Sequence, residues 1–264
     1  MKVIAFYNLK GGVGKTAAAV NLASLAATEG HTTLLWDLDP QGSSSWYFGE
    51  RLPDDTKLSR LIKGKTPIGP LIVQTTQPHL SLIPSDVSVR NMDAQLEKHG
   101  HPQVLRDWLA PLSESYSLIV LDCPPSLSRL AENVFSVADA VYVPIIPTWL
   151  SMHTWEQLLA FAAEKKLDTR RFRPFLSMVD RRKRLHREFL EHPPEIFRQP
   201  LNGYVPYASE VERMGEFRLP LHAFAPRCAA ALAYQLMWEQ VAAQLGLRAA
   251  TGTRRSLPAA IAPG

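Results

Sequence analysis

Residues Lys10-Gly11-Gly12-Val13-Gly14-Lys15-Thr16 follow a short apolar run and open an Ala-rich stretch, and no other segment restricts the fold as strongly. Three glycines within four positions permit backbone conformations that a Cβ would oppose, so successive N–H groups can curl around an anion. Setting that curl between a strand and a helix N-terminus adds the positive end of the helix dipole. The pattern predicts a strand–loop–helix unit that binds phosphate, with Lys15 reaching β- and γ-phosphates and the Thr16 hydroxyl facing Mg2+. An ordinary glycine turn is the alternative reading.

Around this unit, short apolar runs alternate with longer amphipathic stretches. Strands are expected at 3–7, 33–38, 80–83, 118–121, 140–146 and 174–179, with another near Tyr204 and Val205. Helices are expected at 15–28, 88–98, 102–113, 127–137, 151–166, 181–191 and 228–245, where Met152, Trp155, Leu159 and Ala162 illustrate a core-facing stripe. The alternation predicts an α/β fold, a mostly parallel twisted sheet flanked by helices on both faces. One domain is expected over residues 1–246, followed by a flexible tail at 247–264 rich in Ala, Pro and Gly. With 46% hydrophobic and 20% charged residues the chain can bury a sizeable core. No run reaches the ~20 apolar residues of a membrane span and no cleavage pattern marks a signal peptide, so a cytoplasmic protein is expected. Cys123 and Cys228 are too few for a disulfide framework and lack metal-ligand spacing.

The loop departs from the general G-x-x-x-x-G-K-[ST] pattern, because Leu9 occupies its first position and Lys10 precedes the glycine pair. With this second lysine at its mouth, the segment resembles the deviant Walker A ATPases of the ParA/MinD family, whose K-G-G-x-G-K-[ST] signature it matches. The resemblance extends over about residues 1–245 and implies a P-loop NTPase fold, ATP and Mg2+ as ligands, and a homodimer enclosing two nucleotides. By it, Lys10 crosses to the partner's phosphates, while Gly11, Gly12, Val13, Gly14, Lys15, Thr16 and Ala17 surround those of their own subunit. Relatives carry a second Thr where this chain has Ala17, leaving only a backbone N–H for the α-phosphate. Asp37-Leu38-Asp39-Pro40-Gln41-Gly42 resembles the family's D-x-D-P-Q-G segment. There Asp39 positions the attacking water and Asp37 supports the magnesium shell; turn formation is the bland reading of such residues. Asp122-Cys123-Pro124-Pro125 matches a Walker B strand end followed by the family's D-x-P-P, so Asp122 should address Mg2+ through water. Met178, Asp180 and Pro206 correspond to the family's adenine side, although a core methionine and an N-cap aspartate would read the same way.

Charge is concentrated rather than spread. The net charge is +4, yet residues 165–187 hold ten Lys and Arg against two Asp. Lys183, Arg184 and Arg187 fall close together on the expected helix, with Leu185 and Phe189 turned inward. Such a stripe suits the phosphates of double-stranded DNA without reading sequence; a merely solvated basic face is the alternative. The resemblance adds Arg198, Arg213, Arg218 and Arg227, because the family's DNA surface lies in its C-terminal part. The loop begins at residue 10, so no helix-turn-helix extension is expected before it, and the tail lacks the strong apolar face of a membrane-binding helix. The resemblance thus implies a small ParA/Soj-like switch. In ATP it dimerises and holds nucleoid DNA nonspecifically, positioning a cargo through a ParB-like partner that stimulates slow hydrolysis, without membrane contact. A MinD-like membrane regulator and a P-loop metabolic enzyme are the alternatives.

Overall fold

A computed structural model describes residues 1–247 apart from 55, 100 and 102; of the expected tail only Leu247 lies among the described residues. Eight strands form one sheet: β1 (Lys2–Phe6), β2 (Thr33–Asp37), β3 (Val73–Gln74), β4 (Leu80–Ile83), β5 (Leu118–Asp122), β6 (Ala140–Ile145), β7 (Phe172–Val179) and β8 (Tyr204–Pro206). Their order is β3-β4-β2-β5-β1-β6-β7-β8, parallel throughout except for β3, which runs antiparallel to β4. The helices are α1 (Lys15–Thr28), α2 (Ser43–Phe48), α3 (Leu58–Ile62), α4 (Met92–His99), α5 (Val104–Leu109), α6 (Arg129–Val137), α7 (Trp149–Glu164), α8 (Arg184–Glu191), α9 (Ser209–Phe217), α10 (Leu221–Phe224) and α11 (Ala229–Leu245).

Strand periodicity divides the core. Along β1, Val3 and Ala5 face one apolar cluster while Ile4 and Phe6 face the other; along β5, Ile119 and Leu121 oppose Leu118 and Val120. The first face is covered by α3 to α8, the second by α1 and α9 to α11. Both faces being covered explains why these strands read as continuous apolar runs. Helix α1 succeeds in the crowded second face because it is built of small residues: Ala18, Ala19, Ala23 and Ala26 are all fully buried.

Each expected strand and helix is present with ends shifted by a few residues, the basic helix most, since it starts at Arg184 with Lys183 as its N-cap. The expected helix at 88–98 begins as a 3-10 turn at Val87–Asn91, and the one at 102–113 closes as another at Ala110–Leu112. Elements α2, α3, α9, α10 and β3 were not expected. Most of them span six residues or fewer, too short to show a period.

Because α1 fits by the smallness of its side chains, Ala23→Leu is expected to lower stability by about 1–3 kcal/mol. Urea denaturation with an unshifted midpoint would show that α1 has room the packing does not display.

Candidate functional site

The loop between β1 and α1 is shaped by its neighbours as much as by its glycines. Gly12 and Gly14 adopt left-handed conformations at φ 69° and 97°. At Gly14 a Cβ would stand 2.9 Å from Ser177 Oγ of β7, a hydroxyl that donates to the Val13 carbonyl at 2.9 Å. Any side chain at 14 would therefore strain the backbone and expel the strut beneath the loop. Asn8 fixes the loop's entry, donating from Nδ2 to the Pro144 carbonyl at 2.7 Å and accepting the Lys10 N–H at 2.8 Å. Lys15 is buried and folds back to donate to the Lys10 carbonyl at 3.2 Å. Burial lowers its pKa, opposed by the carboxylates of Asp122 and Asp39. A phosphate in the loop would offer this ammonium the counter-charge that the carbonyl lacks.

Below the loop lie the two aspartates. Asp37 and Asp122 end adjacent strands as register partners, and neither is exposed to solvent. Burial raises both carboxyls, and the charge of Asp37 raises Asp122 further, against opposing hydrogen bonds from Ser44 and Thr16 and the charge of Lys15. Ser44 Oγ donates to Asp122 Oδ2 at 2.7 Å, while the N–H and hydroxyl of Ser45 donate to Asp37 Oδ2 at 2.8 and 2.7 Å. Asp122 Oδ1 is buried without a hydrogen-bond partner. A carboxyl oxygen left without a partner beside a second buried carboxyl group and the Thr16 hydroxyl is one that a hard divalent cation would satisfy. Among the described residues no three His, Cys, Asp or Glu are grouped to hold a metal ion. A cation here would accordingly draw on phosphate or water oxygens as well, the habit of Mg2+.

A cleft of about 760 Å³ opens above these groups. Gly11, Gly12, Gly14, Lys15, Thr16 and Ala17 line its phosphate end, with Asp39 and the Pro124–Ser126 loop opposite. Asp39 Oδ1 also accepts the Gln41 N–H at 2.9 Å, so the turn and the cleft share one carboxylate. Met178 and Pro206 also line the cleft, with Tyr47, Tyr207 and Glu212. Asp180 does not. Arg182 grips its carboxylate with two bonds of 2.9 Å, holding its pKa well below the usual range, and the residue stands outside the cleft lining. The Asp180 carboxylate, expected on the base side, is engaged here by this local ion pair. Lys10 and Val13 also lie outside the lining, the latter with its side chain buried.

The basic residues are more committed than their spacing suggests. Arg184 pairs with Glu188 at 2.7 Å, and Arg187 donates to the carbonyls of Arg181 and Arg182. Lys183, Arg198 and Arg227 are exposed. Arg213 pairs with Glu216 and lies over Phe217, whereas Arg218 lies 3.9 Å from the ring centre of Trp46. Leu185 and Phe189 turn inward as expected, and His186 joins them.

Several site residues escaped the sequence reading: Ser44, Ser45, Ser177, Tyr47 and Tyr7, whose hydroxyl donates to the Ser126 carbonyl at 2.8 Å. Only the serine run directly after Gly42 offered a signal.

A carboxyl whose pKa is higher in the fold than in the unfolded chain stabilises the fold fully below the unfolded value and loses that contribution as pH rises through the folded one. Asp122, raised to about 7, should therefore make the ligand-free protein less stable as pH climbs from about 5 to 8. Asp122→Asn is expected to flatten that decline and to exceed the native chain at pH 8 by at least ~1 kcal/mol, the worth of one pKa unit. Parallel stability–pH curves for the two proteins would contradict the assignment.

Comparison with known proteins bears on the same constellation. Residues 1–173 match the AAA domain family. The chain is 30% identical over 252 residues to the chromosome partitioning protein ParA of Caulobacter vibrioides, covering 91% of this chain and 94% of that protein. Its fold is similar to that of a plasmid partition protein from Borrelia burgdorferi bound to AMPPNP, with TM-score 0.80, 23% identity and coverage of 92% and 99% of the two chains. It is also similar to cobyrinic acid a,c-diamide synthase from Mycobacterium smegmatis with bound ADP and magnesium, at TM-score 0.71, 24% identity and coverage of 86% and 97%. These two likenesses concern the fold alone, which partition proteins share with a biosynthetic enzyme. The sequence identity decides between them: the chain belongs to the ParA/MinD-like family of P-loop partition ATPases.

Proposed function

We propose that the chain is an ATP-dependent dimerising switch that holds DNA without sequence preference and positions a cargo through a partner that stimulates slow ATP hydrolysis. The observation that carries this reading is the glycine-shaped loop with buried Lys15 above a buried carboxylate pair whose Asp122 Oδ1 has no partner. In this reading Lys15 binds the β- and γ-phosphates, and Thr16, Asp37 and Asp122 hold Mg2+ directly or through water. When bound, Mg2+ would neutralise charge on the phosphate oxygens. Asp39, which lines the cleft, would position the attacking water. Met178 and Pro206 flank the base. Lys10 stands outside its own subunit's cleft lining, which suits a lysine serving the partner's nucleotide. A nucleoid-bound protein in the cytoplasm and a ParB-like partner follow from the same reading. Among the described residues no helix is long and apolar enough to cross a membrane.

Lys10 and Lys15 are expected to separate binding from dimerisation. Lys15→Ala should lose ATP binding in calorimetry, since the phosphates lose a charge fixed inside the loop. Lys10→Ala should still bind ATP in each monomer yet fail to dimerise in light scattering. A Lys10→Ala dimer would remove the cross-subunit role, and substrate-dependent turnover by a monomer would favour a metabolic enzyme instead.

DNA binding is tested by comparing ATP- and ADP-loaded protein on unrelated duplexes at two salt concentrations. The ATP form should bind all sequences alike, its log affinity falling with log salt at a slope of about −0.9 per phosphate neutralised. Replacing Lys183, Arg184 and Arg187 together by Ala should weaken binding uniformly and flatten that slope while dimerisation survives. Unchanged binding would reduce the segment to a solvated face and shift the search to Arg198, Arg213, Arg218 and Arg227.

A further inference from the structure

Three consecutive residues at the end of β1 hold two loops that line the cleft. The Phe6 carbonyl accepts the Cys123 N–H at 3.2 Å, tying the start of the loop after β5 to its neighbouring strand. Tyr7 reaches further along the same loop, its hydroxyl donating to the Ser126 carbonyl at 2.8 Å. Asn8 then anchors the glycine loop through the Pro144 carbonyl and the Lys10 N–H. One strand end therefore carries both the glycine loop and the Pro124–Ser126 loop. Tyr7 has little freedom of its own. It is fully buried, its N–H donates to the Tyr142 carbonyl at 3.1 Å, and its ring meets Phe135 edge-on with 4.7 Å between centres. Burial raises its phenol pKa, and Cys123 and Asp93 raise it further, so the hydroxyl remains a donor at ordinary pH.

The loop that Tyr7 holds has no N–H to offer a ligand between residues 123 and 126. Cys123 gives its own to Phe6, Pro124 and Pro125 have none, and Ser126 donates to the Pro124 carbonyl at 3.0 Å. Its contribution to the cleft is therefore shape: a wall that begins directly after Asp122.

We propose that Tyr7 is a positioning residue for ATP hydrolysis, its hydroxyl fixing the Pro124–Ser126 wall at the separation from the glycine loop that the reaction needs. The proposal rests on the reading that this cleft hydrolyses ATP. Attack by water tolerates little misplacement of the groups that confine it, and a shift of about 1 Å can cost 100-fold in rate. Binding draws instead on the glycine loop and Lys15, which Tyr7 does not touch. Deleting the hydroxyl should therefore loosen the wall and slow the chemical step while leaving nucleotide affinity in place.

The test compares Tyr7→Phe with Tyr142→Phe, measuring phosphate release at saturating ATP with Mg2+ and the calorimetric affinity for ADP with Mg2+. Tyr142 is also fully buried and donates its hydroxyl to Gln244 at 3.1 Å, outside the cleft lining. Both variants keep the ring and its packing, so both are expected to fold, which urea denaturation checks. Tyr7→Phe is expected to lower kcat by ~10-fold, about the worth of one hydrogen bond, with ADP affinity within ~2-fold of native, the pattern of an interaction that matters only in the transition state. Tyr142→Phe should keep the native kcat. A native kcat in Tyr7→Phe would overturn the proposal and leave the functional reading standing. A fall in ADP affinity matching the fall in rate would overturn it too, because Tyr7 would then support binding, and so would an equal loss of rate in Tyr142→Phe. Absence of any ATP hydrolysis by the native chain would overturn both the proposal and the functional reading.

Discussion

Two carboxylates meeting at the ends of adjacent parallel strands set the terms for everything around them. Asp37 and Asp122 are placed side by side by the register of β2 and β5 and lie wholly beneath the surface. Two like charges so buried would be prohibitive without compensation. Part of the compensation is visible: the Ser44 and Ser45 donors, the Thr16 hydroxyl and the ammonium of Lys15 all bear on the pair. What they leave over is one buried acceptor, Asp122 Oδ1, without a donor.

Seen from that pair, the loop, α1 and α2 share one logic. The sheet order places β1 between β5 and β6, so the loop after β1 rises directly beside Asp122. The alanines of α1 let the helix lie close against the sheet, and that closeness delivers Lys15 and Thr16 to the carboxylates. From the other side, α2 is drawn down by its serines. The side-chain hydrogen bonds that Ser44 and Ser45 give to the buried pair thus come from a short helix bounded by two left-handed glycines.

The distribution of positive charge follows a different principle. Exposed side chains are free to satisfy one another, and α8 and α9 do so through Arg184 with Glu188 and Arg213 with Glu216. Such surface pairs are worth little in stability, so a polyanion could compete for the same guanidinium groups at small cost. Lys183, already exposed, needs no such exchange.

The glycine loop, the division of the chain into strands and helices and the approximate ends of each were written in the sequence, because backbone permissiveness and hydrophobic period are local properties. The sequence also placed Asp37 and Asp122 at strand ends, and offered Asp39, Met178 and Pro206 by resemblance. It could not tell that Asp180 would turn to Arg182, that Arg187 would cap its own segment, or that Ser44 and Ser45 would hold the buried pair. Those outcomes depend on which groups lie within hydrogen-bond reach once the strands have paired. Asp122 and Ser44 are 78 residues apart in the chain and 2.7 Å apart in the fold, and no pattern of spacing encodes that distance. Only the assembled sheet, by fixing β2 beside β5 with the α2 serines in reach of both aspartates, decided which groups would compensate the buried pair.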